Sequence, residues 1–129
     1  MRDALRGAFA ALDRPPTVLQ AMPAIDAGGT EAAALWAAEA TAIAGGRSIV
    51  AASGGPVGRL QRIGAEFQEV PLDGRGPVAI ARNAGRLKKL IDDLGVDIVH
   101  ARSREIAWAA RQATRGRRAK LVTSCGADA

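Results

Sequence analysis

A chain of 129 residues, 48% hydrophobic and 24% charged, is long enough to bury the core of one domain and too apolar to be intrinsically disordered. Its single cysteine excludes an internal disulfide framework and a cysteine-rich metal site, while the net charge of +5 suits anionic partners such as phosphates or acidic lipids. No apolar run approaches the roughly 20 residues that span a bilayer, and the first residues lack the apolar region of a secretory signal. We therefore expect a cytoplasmic protein.

The segment 1–16 has a helical spacing of apolar residues. Leu5, Phe9 and Leu12 recur at intervals of four and three, and Pro15-Pro16 ends the pattern. We expect a helical amino-terminal extension, followed by one domain over residues 17–129. This extension either packs on the domain or stays loose, and its narrow apolar face disfavours binding to a lipid surface.

From residue 17 onward, short apolar runs alternate with helical patterns. Strands are predicted at 17–22, 47–52, 66–71, 97–100 and 119–123, and helices at 30–44, 57–64, 77–94 and 103–115. Gly45-Gly46 and Gly95 follow two of these helices, as glycine commonly does at helix ends. The alternation predicts an α/β fold with a Rossmann-like parallel sheet flanked by helices on both faces. The polar and apolar residues of 66–71 alternate as in a strand near an edge.

Ligands of such sheets bind beyond the carboxyl ends of the strands. The first loop there is MPAIDAGGTE, residues 22–31. Gly28-Gly29 permits a sharp turn and the close approach of a ligand to the backbone, while Thr30 suits a helix cap and Glu31 the positive end of the helix dipole. Neither a dinucleotide fingerprint nor a P-loop is present. A simple capped turn and a ligand-contacting turn both account for these residues.

Two later loops are also candidates. Residues 53–58, SGGPVG, form either a flexible connection or the lining of a cleft. The stretch 100–104, HARSR, places the only histidine of the chain at a strand end, followed by two arginines and a serine. Histidine acts as an acid, a base or a hydrogen-bond donor near neutral pH, and arginine binds phosphate or carboxylate. With no second histidine and no assignable carboxylate partner, a structural role and a ligand-binding role both stay open.

Five basic residues cluster near the end of the chain: Arg111, Arg115, Arg117, Arg118 and Lys120. This pattern is typical of a solvated helix face, and it also suits anionic lipid. Aromatic residues interleaved for base stacking are absent, so we expect no nucleic-acid partner.

Four stretches together resemble the amino-terminal half of family 4 glycosyltransferases: VLQAM, GGTE, SGGPVGRL and DIVHARSREIAW. The resemblance covers about residues 17–126. These enzymes have the two-domain GT-B fold and act in bacterial cell-surface polysaccharide and lipopolysaccharide synthesis. The resemblance implies the acceptor-side domain of an enzyme that transfers a hexose from a nucleotide sugar to a lipid- or saccharide-linked acceptor. It implies no metal or other cofactor, and it is compatible with peripheral contact at the inner face of the membrane.

The resemblance also implies residues that contact the acceptor or the donor phosphates, namely Gly28, Gly29, Glu31, His100, Arg102 and Ser103. It assigns no catalytic residue. Many family members end the fifth strand with a T-x-H-G stretch, whereas this chain has Thr123-Ser124-Cys125-Gly126. A thiol does not reproduce the hydrogen bonding of an imidazole, so we expect Cys125 to be an altered, non-catalytic site position.

The donor-binding half of such an enzyme is absent from this sequence. We therefore expect a truncated domain that is inactive alone. The alternative is a non-catalytic Rossmann-like module that binds an anionic ligand or partner. A nicotinamide-binding domain is disfavoured because the G-x-G-x-x-G fingerprint is missing.

Overall fold

The computed structural model describes residues 14–23, 29–54 and 57–124. Strands and helices alternate along this part of the chain: β1 (Thr17–Ala21), α1 (Gly29–Ile43), β2 (Arg47–Ala52), α2 (Val57–Arg62), β3 (Ala65–Glu69), α3 (Gly76–Leu94), β4 (Ile98–Ala101), α4 (Arg104–Thr114) and β5 (Lys120–Thr123). Every element predicted from residue 17 onward is present, with its ends shifted by no more than two residues. Of the helical extension predicted over residues 1–16, residues 1–13 lie outside the described part, and residues 14–16 are not helical.

The strands form a parallel sheet in the order β3-β2-β1-β4-β5. All five residues of β1 are buried, because a neighbouring strand lies on each side and helices lie on both faces. The predicted α/β fold with a Rossmann-like parallel sheet is confirmed. The structure also places β3 at one edge, as its alternating sequence predicted.

One face of the sheet is covered by α3 and α4, and is called the α3–α4 face here. Leu19 of β1 and Val99 of β4 pack there against Leu87 of α3 and Ile106 of α4, all fully buried. Alanines at the contacts, such as Ala109, let the helices approach the sheet closely. This face therefore forms the larger part of the hydrophobic core.

The opposite face, called the α1–α2 face, is covered unevenly. Val50 of β2 packs there with Leu35 of α1 and Leu60 of α2. Among the described elements, α1 and α2 lie on β1, β2 and β3, and no helix covers β4 and β5 on this side. As a result His100 is only half-buried, and the side chain of Val122 is 47% exposed.

Asp97 fixes the amino-terminal edge of the sheet. Its carboxylate accepts hydrogen bonds from the Thr17 backbone N–H at 2.8 Å and from Arg14 Nη1 at 2.9 Å, and Arg118 Nη2 lies 3.5 Å from Oδ1. Burial raises the pKa of Asp97, but the hydrogen bonds from Arg14 and Thr17 outweigh burial and hold it below its ordinary value of 3.8. These contacts tie β1, β4 and β5 together at the edge opposite the candidate site.

Candidate functional site

The strand order creates a topological switch point between β1 and β4. The chain leaves β1 and β2 for helices on the α1–α2 face, whereas it leaves β4 for α4 on the other face. The loops therefore separate beyond the carboxyl ends of β1 and β4. In open α/β sheets a ligand binds in the crevice at such a point.

Backbone hydrogen bonds continue past the strand ends on both sides of β1. The Met22 N–H donates to the Ala51 carbonyl at 3.1 Å, and the Arg102 N–H donates to the Ala21 carbonyl at 3.1 Å. The backbone of Arg102 is thus fixed by the sheet although it lies beyond β4. The Arg102 side chain therefore extends from a backbone position that the sheet holds in place.

Three polar side chains meet at the switch point, and we call them the switch-point cluster: Gln20, His100 and Arg102. Arg102 Nε donates to Gln20 Oε1 at 3.0 Å, and Arg102 Nη2 lies 3.3 Å from His100 Nδ1. Gln20 and His100 are register partners on neighbouring strands, so their side chains lie on the same face of the sheet. Arg102 follows His100 by two residues and returns to that face.

Arg102 gives the switch-point cluster a positive charge. Gln20 is only 2% exposed, Arg102 is half-buried, and burial lowers the Arg102 pKa from its ordinary value. No carboxylate of the described residues pairs with Arg102. An oxyanion bound to Arg102 would supply an opposite charge through charge-assisted hydrogen bonds.

His100 is held in its neutral form by two effects. Burial lowers its pKa below the ordinary value of 6.5, and the positive charge of Arg102 lowers it further. The imidazole is therefore uncharged at neutral pH. It offers one hydrogen-bond donor and one acceptor rather than a second positive charge.

The other predicted site residues fall into two groups. Gly29 is the first residue of α1 and Glu31 lies in its first turn, so both follow β1 at the edge of the sheet that holds the cluster. Gly28 and Cys125 lie outside the described residues. The prediction that Thr30 caps α1 is wrong, because the helix already begins at Gly29.

Ser103 has a structural role as well as its position at the candidate site. Its Oγ accepts a hydrogen bond from the Ile106 backbone N–H at 3.2 Å, which makes it the N-cap of α4. A ligand contact of Ser103 stays a prediction.

Gln20 was missed by the sequence reasoning, although a glutamine inside the apolar run TVLQAM was a detectable signal. Within the described ranges, no group of three or more His, Cys, Asp or Glu side chains is placed to hold a metal ion.

The fold and the switch point define an α/β protein with a Rossmann-like sheet. Among solved structures, this chain is similar to the crystal structure of a glycosyltransferase from Rickettsia africae ESF-5, with a TM-score of 0.72 and 34% sequence identity over 84% of this chain. The chain spans 29% of the length of that protein. No protein-family model and no curated protein sequence matches it. The chain thus shares the fold of part of a glycosyltransferase.

Proposed function

We propose that this chain is the amino-terminal, acceptor-side domain of a family 4-like glycosyltransferase of the GT-B fold. The similarity to the Rickettsia glycosyltransferase, at 34% identity, is the observation that carries the proposal. The enzyme would transfer a hexose from a nucleotide sugar to a lipid- or saccharide-linked acceptor in the synthesis of cell-surface polysaccharide or lipopolysaccharide. The nucleotide sugar is a substrate, and the proposal includes no metal or other cofactor.

In this proposal the crevice at the switch point is this domain's share of the substrate cleft. Arg102 binds an anionic group of the acceptor or the donor, and His100 contributes a neutral hydrogen-bonding group beside it. The turn at Gly28 and Gly29, with Glu31, follows the neighbouring strand. A second domain would complete the cleft and bind the donor, so we expect no sugar transfer by this chain alone.

A domain exchange tests the proposal. In the Rickettsia glycosyltransferase, the part that matches this chain would be replaced by the chain, and release of nucleoside diphosphate would be measured with a panel of nucleotide sugars and membrane-extracted acceptor lipids. We expect release by the chimera, little release by this chain alone, and reduced release by the chimera that carries Arg102→Met. A folded chimera with no release on any donor would contradict the proposal.

A non-catalytic module that binds an anionic ligand is the second candidate function. The half-buried Arg102 without a carboxylate partner among the described residues is the observation that favours it. Anion binding by this chain with no turnover in the folded chimera would favour this candidate over the enzyme.

We further propose that the outer face of α4 contacts anionic lipid at the inner, cytoplasmic face of the membrane. Arg104, Trp108, Arg111 and Arg115 are spaced by four, three and four residues, so they form one exposed stripe. The Trp108 side chain is 53% exposed, and the Arg111 guanidinium lies 5.9 Å from its ring centroid. Tryptophan suits the boundary between lipid and water, and arginines suit lipid phosphates.

The contact that we propose is at the membrane surface. No helix in the described part of the chain is long and apolar enough to cross a membrane. The stripe exposes one aromatic side chain among cations, so charge would supply most of the binding. Such binding weakens as salt screens the charges.

Sedimentation with lipid vesicles tests the stripe. We expect binding to vesicles rich in phosphatidylglycerol but not to vesicles of phosphatidylcholine, and a loss of about tenfold or more in Arg111→Gln/Arg115→Gln, since each cation contributes about 1 kcal/mol near an anionic surface. Trp108→Ala is expected to weaken binding, whereas Trp36→Ala is the matched control. Trp36 is 58% exposed on α1, a helix without basic residues. Equal binding to both vesicle types would contradict the proposal.

A further inference from the structure

The His100 ring has a buried nitrogen that takes part in none of the hydrogen bonds described above. Its Nε2 is shielded from solvent and has no hydrogen-bond partner among the described residues, while Nδ1 of the same ring lies 3.3 Å from Arg102 Nη2. Buried polar atoms without partners are uncommon in folded proteins, and each one needs a physical explanation. The two ring nitrogens therefore differ sharply in their surroundings.

The contact with Arg102 determines which ring nitrogen carries the proton. A guanidinium only donates hydrogen bonds, so Nδ1 must accept and has no proton of its own. In a neutral imidazole the proton is then on Nε2. The unpaired buried atom is thus a hydrogen-bond donor, and it lacks the lone pair that a base needs.

Gln20 holds Arg102 in place without neutralising it. Its buried Oε1 accepts from Arg102 Nε at 3.0 Å, and an amide has no net charge. A glutamate at the same place would form an ion pair and remove the positive charge from the site. The guanidinium has five N–H groups, and the acceptors found for it among the described residues are Gln20 Oε1 and His100 Nδ1.

We infer that Gln20 is a positioning residue that orients Arg102 to bind a phosphate group of a ligand, and that Arg102 fixes His100 in the Nε2–H form, as a hydrogen-bond donor and not a base. This deepens the proposed function and rests on it for the identity of the ligand. The phosphate belongs either to the nucleotide sugar or to a lipid-linked acceptor. Both sources present the same oxyanion to Arg102.

The tautomer can be measured directly because the chain has one histidine. The intact chain would be labelled with ¹⁵N-histidine, and the two ring nitrogens would be observed by long-range ¹H–¹⁵N correlation at neutral pH. We expect Nδ1 to be pyridine-like, without a proton, and Nε2 to be pyrrole-like, with one. The reverse assignment, or the averaged shifts of two exchanging tautomers, would overturn the inference.

Phosphate binding is measured on the same resonances. We expect inorganic phosphate to shift them saturably in the native chain. Gln20→Leu should weaken this response about tenfold or more and mix the tautomers, because Arg102 loses its anchor. Gln20→Glu should keep the Nε2–H tautomer, since a carboxylate still accepts from Nε, but should lose phosphate binding because it neutralises the guanidinium.

Arg62→Gln is the matched control, because Arg62 is an exposed arginine at the last residue of α2, just before the amino-terminal end of β3. Its phosphate response should equal that of the native chain. A phosphate response that depends on Arg62 but is unchanged in Arg102→Gln would overturn the inference, as would a Gln20→Leu chain with native tautomer and native phosphate affinity.

Two further ligands separate the sources of the phosphate. A nucleoside diphosphate and a short isoprenyl phosphate would be titrated in parallel, and the ligand that binds more tightly identifies the source. None of these measurements needs sugar transfer. An inactive chimera together with the expected tautomer and phosphate response would reject the glycosyltransferase and keep this inference, whereas an active chimera with the opposite tautomer would reject only this inference.

Discussion

Arg102 Nε donates a hydrogen bond to Gln20 Oε1, and this bond joins two residues 82 positions apart at the centre of the sheet. It links the side chains of β1 and the segment after β4 at the point where their loops separate. A glutamine in a buried central strand is unusual by itself. With Arg102 as its hydrogen-bond partner, Gln20 forms the buried part of the switch-point cluster at the ligand-binding edge of the sheet.

The energetic value of this bond can be tested with a double variant. Gln20→Leu alone leaves the Arg102 Nε donor without its acceptor, so we expect the free energy of unfolding to fall by about 1–3 kcal/mol. Gln20→Leu/Arg102→Met removes both partners and should recover most of this loss, because two apolar groups of similar shape replace a polar pair at little cost. Urea denaturation measures both values, together with that of Arg102→Met alone. A double variant as unstable as the sum of the single losses would contradict the pairing.

The depressed pKa of His100 predicts a pH dependence of stability with a definite sign. Between the unfolded value of 6.5 and the lower folded value, the unfolded chain binds the proton and the folded chain does not. Stability due to this group is therefore lost as the pH falls below 6.5, and the loss stops once the pH is below the folded pKa. His100→Gln should remove this part of the pH dependence in denaturation curves recorded between about pH 5 and 8.

The positive charge of Arg102 contributes to the lowered pKa of His100. An NMR titration of variants can separate this contribution from that of burial. Arg102→Met should raise the pKa of His100 relative to the native chain, while Arg104→Gln should leave it unchanged. A pKa of His100 that moves down or stays fixed in Arg102→Met would contradict the contact between the two side chains.

Helix α3 and its end contain two glycines that we expect to respond in opposite ways. Gly95 ends the helix with φ 65° and ψ 44°, and its N–H donates to the Ile91 carbonyl. Gly95→Ala should lower the free energy of unfolding by about 1–2 kcal/mol, the cost of this left-handed conformation for a residue with a Cβ. Gly85 lies in the helix interior, and a Cβ added there would meet no atom within 4 Å, so Gly85→Ala should raise stability by about 0.5–1 kcal/mol. Thermal unfolding measures both.

Asp97 is expected to contribute to the loss of stability in acid. Its lowered pKa means that its stabilising effect is complete above about 3.8 and is lost as the pH falls through the lower folded pKa. Asp97→Asn keeps an acceptor for Thr17 but weakens the contacts with Arg14 and Arg118, so we expect a loss of about 1 kcal/mol at neutral pH. The difference in free energy of unfolding between Asp97→Asn and the native chain should become smaller in acid. A constant difference down to about pH 2 would contradict this assignment.

The sequence predicted the elements because apolar runs mark the strands, periodic apolar positions mark helices such as α3, and glycines such as Gly95 mark helix ends. Ser103 was placed inside the predicted helix 103–115, and the structure shows that it is the N-cap of α4. The contacts of Gln20 and Asp97 were not predictable in the same way, because their partners are far away in sequence. Those contacts depend on the placement of β4 beside β1, which periodicity does not specify.

Because β1 lies at the centre of the sheet, its two neighbouring strands leave the ribosome at different times. β2 and β3 follow β1 closely along the chain, but its other neighbour is β4, and the hydrogen bond from the Thr17 N–H to Asp97 spans 80 residues. One hydrogen-bonding edge of β1 therefore stays open on the nascent chain until β4 has left the ribosome. An open edge of this kind is where non-native pairing begins, so the growing chain should stay sensitive to protease at β1 until β4 emerges.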